Sequence, residues 1–475
     1  MKTTRAAKAA LAAGLSVSIV TAQSCSNVIV PSHALPVVAS GWQAQLVVAG
    51  LVKPRSIQFD STGALLVVES GKGVTRHSFT DNGGTCVTLT KSTVLIDQAA
   101  LNHGLALSAD GKTLYASSVD SVFAWDYDPN AGSVGGRPVV VVNNMGNNDL
   151  VTRTLLMSKK QTNTLLVSRG SSDGNEAKAT VLSSGLSQIR AFDLSASKSR
   201  VYDYDTDGTV LGWGLRNSVG VGEHPITGGI YAVENSIDGV TRDGKDIHEN
   251  NPGEELNFFG YLNATKANQG GNYGYPKCFA VWDVTEIPES DGLGVGKQFA
   301  IQENSTLTDE TCASDYVAPR LTFPAHYAPI DIKFAADGKT AYVTFRGSFD
   351  KTQPAGYRLA SVAFNADTGE PVASPDSNDA LTDILTNANQ TDCPDKCFRP
   401  VGLAFDAAGR LWMTADSTGE IYVLQKTSSS PTATTGGTFV TATSKPNAAA
   451  ALWNPDTKLL GYGVVGALAA WLAVL

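Results

Sequence analysis

Helical periodicity is scarce in this 475-residue chain, and so is charge, at 17% Asp, Glu, Lys and Arg. Without amphipathic helices, strands must supply the core. A basic excess is also missing. The formal net charge is −9, which speaks against nucleic-acid binding and against attachment to anionic lipid. No CxxC pair or Cys/His cluster has zinc spacing. The acidity favours solubility and identifies no substrate.

What the chain does have is a repeat. VGLAFDAAGRLWMTADSTGEIYVL runs from Val401 to Leu424, and HGLALSADGKTLYASSVDSVFAWD from His103 to Asp126. Related copies run from Ile330 to Ser348 and from Arg55 to Ser70. Each is an alternating apolar strand, a turn carrying Asp or Gly, and a second strand. One such unit cannot bury its own faces, whereas several arranged radially can. Strand-pair signatures near 55–79, 103–127, 153–193, 216–235, 330–364 and 401–424 predict an all-β fold, a six-bladed β-propeller with long loops at the channel mouth. The stretch from about 236 to 329 reads as a long Gly-, Pro- and Asn-rich excursion.

The ends carry sorting signals. Lys2, Arg5 and Lys8 precede an apolar run and a small-residue cleavage site, so residues 1–22 read as a secretory signal peptide. The propeller domain is expected over 23–426. Residues 427–450 are rich in Ser, Thr, Pro and Ala and read as an O-glycosylated stalk. Residues 451–475 end in an uncharged run, Leu459 to Leu475, preceded by small residues at Asn447 to Ala450. This pattern predicts a glycosylphosphatidylinositol (GPI) signal with Asn447 as the attachment site; the competing reading is a C-terminal membrane helix. The expected location is extracellular, with a lipid anchor as the only tie to the membrane. Asn263, Asn304 and Asn389 begin N-glycosylation sequons. Six cysteines in a secreted chain predict three disulfides, and of the fifteen possible pairings neighbours are favoured: Cys25–Cys86, Cys278–Cys312 and Cys393–Cys397.

Propellers host hydrolases, oxidoreductases and binding modules, so the mouth loops must decide function. His103, directly before a blade strand, can present a general base to the channel, although a lone histidine is more often structural. Arg216 and Asn217 offer a guanidinium fork and an amide, or an inter-blade ion pair. The loop with Ser236, Ile237 and Glu254 offers oxygen donors of the kind that suits Ca²⁺, or a solvated acidic surface. Arg346, Arg358 and Arg399 sit at strand ends and, if they converge, bind a polyanion. Together these segments suit a small polycarboxylate cofactor held with Ca²⁺.

The order PRSIQFD, NHGLALSADGKTLYAS, LRNSVGVGEHPITGGIYAVEN, PGEELN, GGNYGYP, FRGS and FRPVG resembles the soluble quinoprotein glucose and sorbosone dehydrogenases, especially the fungal pyranose dehydrogenases that use pyrroloquinoline quinone (PQQ). The likeness spans about 40–425 and rests on LRN, GGNYGYP and NHG taken together. It implies a sugar-oxidising enzyme holding PQQ over Ca²⁺. His103 matches the general base. Arg216, Asn217, Arg346, Arg399, Arg55 and His326 form the implied cofactor set, His326 without a clear bacterial counterpart. Asn102, Tyr273 and Tyr275 fall at the sugar site, and Ser236, Ile237 and Glu254 at the metal. The chain has no CxxCH haem motif and no cellulose-binding module, so electrons are expected to pass from a monomer to a separate acceptor, such as a cytochrome domain or a copper oxygenase. Two other classes stay open: a Ca²⁺-dependent lactonase or esterase propeller, and a non-catalytic sugar-binding propeller at the cell surface.

Overall fold

The structure is a computed structural model that describes residues 25, 28–174, 176–195, 200–263, 270–348, 350–427 and 436–441. The expected leader (1–22), the attachment signal with Asn447, and most of the stalk lie outside these residues. Every described residue belongs to one unit, 1–442.

Six sheets of four or five strands follow one another along the chain. Their innermost strands are Pro54–Phe59, Leu105–Leu107, Leu155–Met157, Asn217–Glu223, Pro329–Phe334 and Pro400–Phe405, which define blades 1 to 6 in that order. Each neighbours the next, and the sixth returns to the first, so the inner strands close a ring. The six-bladed propeller expected from the repeats is therefore the fold. The second strand of a blade is covered on both faces. Leu65–Glu69 and Leu411–Ala415 are buried throughout, which is why they are mostly apolar and do not alternate. The outermost strand of blade 1, Val87–Asp97, is largely exposed and correspondingly polar.

Two devices seat the blades against each other. Inner strands carry glycine where backbones touch: a Cβ on Gly402 would lie 2.3 Å from the Arg55 carbonyl oxygen, and one on Gly220 would lie 2.8 Å from the Asp331 Cα. Hydroxyls then bond across the seam. Ser117 Oγ donates to the Arg153 carbonyl, Thr344 Oγ1 to Val401, and Thr414 Oγ1 to Arg55, at 2.6–2.8 Å. These bonds satisfy buried polar groups in the one place the ladders cannot reach.

Closure uses both ends of the domain. Trp42–Val48 adds to blade 6 antiparallel to Glu420–Lys426, so the chain's first long strand completes its last blade. The excursion expected over 236–329 is partly regular. It contains two further strands of blade 4, Glu254–Tyr261 and Leu321–Phe323, a small hairpin of Cys278–Ala280 with Gln298–Ala300, and the helix Asp309–Asp315. The strand Glu254–Tyr261 escaped the period-two signal, because it is buried on both faces and lacks alternation. All three disulfides pair as expected: Cys25–Cys86, Cys278–Cys312 and Cys393–Cys397. Asn263, Asn304 and Asn389 are exposed. Among the described residues no helix is long and apolar enough to cross a membrane.

Candidate active site

In an antiparallel blade, the start of the first strand and the end of the second lie at the same end of the sheet. The residues singled out by sequence occupy these positions. His103, Arg216, His326 and Arg399 precede inner strands, Arg55 opens one, and Ser236, Arg346 and Asp416 follow second strands. The topology thus gathers them on one face.

They form two arcs. In the first, Arg55 Nη1 bonds Asp416 Oδ2 at 2.6 Å, while Arg346 Nε reaches the same carboxylate at 2.9 and 3.2 Å. Arg55 Nε donates to His103 Nδ1 at 3.1 Å. Among the described residues Arg399 donates only to the carbonyls of Arg346 and Gly347, at 3.0 and 2.9 Å, and it lies over the Tyr357 ring. Two guanidiniums therefore share one carboxylate, and the third has none among the described residues. His103 is 3% exposed. Burial, with the Arg55 and Lys333 charges, holds its pKa well below the ordinary imidazole value, so the ring is neutral at pH 7. Burial also lowers the pKa of Arg399, and Arg346 beside it acts the same way. Beside His103, Asn102 donates to the Val151 carbonyl at 2.9 Å, and its buried side-chain oxygen has no donor among the described residues.

The second arc holds Arg216 and His326. The Arg216 guanidinium bonds the Ser236 carbonyl and, at 2.9 Å, Asp238 Oδ2. His326 places Nδ1 3.3 Å from Asp238 Oδ1 and Nε2 2.6 Å from the His248 carbonyl. Burial works against its charge, but these hydrogen bonds outweigh it and raise the pKa. Asp238, His326 and Asp350 bring their ligand atoms within 4.8 Å of one another. The Ile237 carbonyl accepts no hydrogen bond among the described residues. Asn217 opens its strand with its side-chain oxygen next to Gly170, and its amide has no hydrogen-bond partner among the described residues. A cavity of about 430 Å³ opens here, lined by Arg216, Ile237, Asp238 and Gln302 among others.

Glu254 does not face this cavity. Its two oxygens accept the backbone N–H groups of Ser236 and Ala328, at 2.8 and 2.9 Å, so it braces the loop that carries the carbonyls. Burial pushes its pKa up to about 7.

The expectations for Tyr273 and Tyr275 are corrected as well. Tyr273 is 1% exposed, packs on Phe259 and donates to the Phe258 carbonyl at 2.6 Å, so it belongs to the core and lines no open sugar site. Tyr275 is also buried. Its hydroxyl accepts from Glu176 N and donates to the Gly174 carbonyl, which ties down the loop beside Arg216. Both tyrosines sit in a Gly-rich loop that folds inwards, and a glycine-rich motif does not indicate which way its rings point. Arg358 lies outside both arcs, paired with Asp383 at 2.8 Å. Asp416 was missed. It stands in MTAD where blade 5 has VTFR with Arg346, and that alignment of blade ends is the signal that finds it.

Fold and site define a class first: a six-bladed propeller with one arc of guanidiniums in cationic excess and a second arc lined by oxygen donors. The chain belongs to the TrAA12-like family, whose model matches residues 36–427. It is 52% identical over 412 residues to a pyrroloquinoline quinone-dependent sugar dehydrogenase of Hypocrea jecorina, covering 86% of this chain and 93% of that protein. It is 36% identical to a pyrroloquinoline quinone-dependent pyranose dehydrogenase of Coprinopsis cinerea, covering 82% of this chain and 54% of that one, so it spans about half the length of that relative. Among solved structures, the calcium structure of Trichoderma reesei carbohydrate-active enzyme family AA12 superposes with a TM-score of 0.82 at 51% identity, covering 84% and 99% of the two chains. The holo pyranose dehydrogenase PQQ domain of Coprinopsis cinerea gives 0.78 at 34% identity, covering 85% and 99%.

Proposed function

We propose that this protein is a PQQ-dependent sugar dehydrogenase that acts on the CH–OH group of an aldose, pyranose or 2-keto-aldose. The observation that carries the proposal is the first arc: Arg55, Arg346 and Arg399 around one carboxylate, beside a buried neutral histidine. That surplus of fixed cations fits a tricarboxylic quinone, since guanidinium forks match carboxylates. Arg55, Arg346 and Arg399 would hold its carboxylates, with Arg216, Asn217 and His326 on the opposite side. Carbonyls of Ser236 and Ile237, with Asp238, are the hard oxygen donors that Ca²⁺ prefers. When bound, the quinone supplies a two-electron acceptor for the hydride that leaves the sugar carbon.

The chain's own part is proton transfer and orientation. Arg55 donates to His103 Nδ1, so the lone pair that can take a proton is on that nitrogen. When Arg55 turns to an anionic ligand, Nδ1 is released to a substrate hydroxyl. The depressed pKa keeps that lone pair free at neutral pH. Asn102, the residue before His103, has a side-chain oxygen with no donor among the described residues, which would be available to a second hydroxyl.

Sugar and quinone give the experiment: dye reduction with PQQ and Ca²⁺ over aldoses and ketoses. Turnover that needs both additions is expected. Lactone or ester hydrolysis without quinone would favour the hydrolase class instead, and saturable sugar binding with neither activity would favour a binding module. The ends of the sequence support a cell-surface setting, in which a monomer hands electrons to a separate acceptor. Phosphatidylinositol-specific phospholipase C should then release the protein from cells, and recovery of the peptide 459–475 from the mature protein would overturn the anchor.

A further inference from the structure

A second polar cavity, about 210 Å³, lies between blades 4 and 5, outside the ring of inner strands. Thr322 reaches it from the outermost strand of blade 4, and Arg358 from the third strand of blade 5, Arg358–Ala363. Asn378 and Asp379 approach from the segment before Leu381–Thr386, and Trp282 from the hairpin insertion. Tyr327 completes it from the short link that also carries His326.

Its hydrogen-bonding groups are largely unused. Thr322 is 1% exposed, yet its buried hydroxyl has no partner among the described residues. Native folds rarely leave such a group unpaired. Among the described residues, no side-chain partner meets the Tyr327 hydroxyl, the Trp282 indole N–H or the Asn378 amide either. Asp379 uses one oxygen, Oδ1, to accept from Ser377 Oγ at 2.6 Å. Arg358, by contrast, is committed. It grips both Asp383 oxygens at 3.0 and 2.8 Å and stacks over the Tyr327 ring at 4.9 Å, which fixes that ring.

The chemistry narrows the ligand. An inorganic or phosphoryl anion would meet Asp379 and an already neutralised Arg358. A bare metal ion would find a single free carboxylate and no cluster of ligands. A neutral polyhydroxylated ring meets both needs of the cavity: its hydroxyls donate and accept, and its C–H face lies flat on a partly exposed indole. The volume corresponds to about seven waters at ~30 Å³ each, which is room for one ring. From these features we propose that the cavity is a saccharide-binding site separate from the mouth. It holds one unit of an oligosaccharide beside the link that carries His326. The placement beside a sugar-oxidising centre rests on the function proposed above, whereas the binding itself does not.

The experiment therefore has a binding arm and a kinetic arm. Full-length protein freed of quinone and metal is titrated with cellotetraose, xylotetraose, maltotetraose and glucose, followed by calorimetry and tryptophan fluorescence. Saturable binding of at least one tetrasaccharide is expected, weakened about tenfold or more in Trp282→Ala. Asn378→Ala and Asp379→Ala, at exposed positions that leave the fold intact, should weaken it several-fold. In the quinone-loaded enzyme the same variants should raise KM for that tetrasaccharide and leave KM for glucose and kcat unchanged. Absence of saturable binding would overturn the site, as would binding that survives all three substitutions, or preferential binding of putrescine. If tetrasaccharide binding holds while no dehydrogenase activity is found, only the catalytic reading fails.

Discussion

On one side of the mouth Arg55 and Arg346 share a single carboxylate, Asp416, with Arg399 held beside them on backbone carbonyls; on the other, Arg216 and His326 stand among Asp238, Asp350 and the brace Glu254. Both arcs are built from the same places in the blades, yet their charge accounts differ. The first is in cationic excess and protects a neutral imidazole. The second is balanced within itself, with its guanidinium and imidazole both held on Asp238. An excess that is fixed by neighbouring backbone, as Arg399 is by two carbonyls, cannot relax by moving away. It persists until an anion arrives, and this is the physical content of preorganisation. The balanced arc can receive a cation only as Arg216 gives up the Ser236 carbonyl.

The sharpest way to break this division is to remove the base from the first arc. His103→Ala should lower kcat by about two to four orders of magnitude, the usual share of general-base catalysis. Quinone affinity should change little, because the guanidiniums stay. Stopped-flow turnover and fluorescence titration of PQQ measure the two effects separately. Near wild-type turnover would remove His103 from the chemistry.

Next in size is the unshared cation. Arg399→Ala removes a guanidinium that has no carboxylate partner among the described residues. Hydrogen bonds to charged groups contribute about 1.5–3 kcal/mol, so PQQ binding should weaken by about 10- to 150-fold. Arg346→Ala should weaken it less, since the freed Asp416 still has Arg55. Equal losses from the two variants would show that the excess is not concentrated at Arg399.

Much of this was legible in the residues. The blades announced themselves because an apolar first strand leads into an Asp-Gly-type turn and a second apolar strand, and Gly111 and Gly338 adopt the positive φ such turns require. His103 and the arginines were found because they sit where a strand begins or ends, a position the chain order fixes. What stayed hidden depends on three dimensions. Glu254 looked like an oxygen ligand, yet its carboxylate serves two backbone N–H groups separated by 92 positions. Tyr273 and Tyr275 looked like sugar platforms, yet the loop turns their rings inwards. Closure by Trp42–Val48 joins segments almost the whole domain apart, and no local pattern encodes that partner.

A smaller effect would sharpen the comparison through pH. The sign differs between the arcs. His103 has a depressed folded pKa, so the stability tied to its neutral form is present above the unfolded value near 6.5 and is lost as pH falls below it. His326 is raised, so its contribution is present below that unfolded value and is lost as pH rises through the folded one. Glu254 is raised to about 7, so the folded state binds a proton that the unfolded state has released, and stability falls as pH climbs from about 4.5 towards 7. In chelator and without quinone, Glu254→Gln keeps the shape and removes that titration. Its melting temperature should therefore vary less between pH 5 and pH 8 than that of the parent protein, while the loss tied to His103 on the acid side should remain. The amide can accept from only one of the Ser236 and Ala328 N–H groups, so the variant should also melt a few degrees lower at pH 5. An unchanged slope between pH 5 and pH 8 would show that Glu254 titrates normally and that the second arc is not held by a protonated brace.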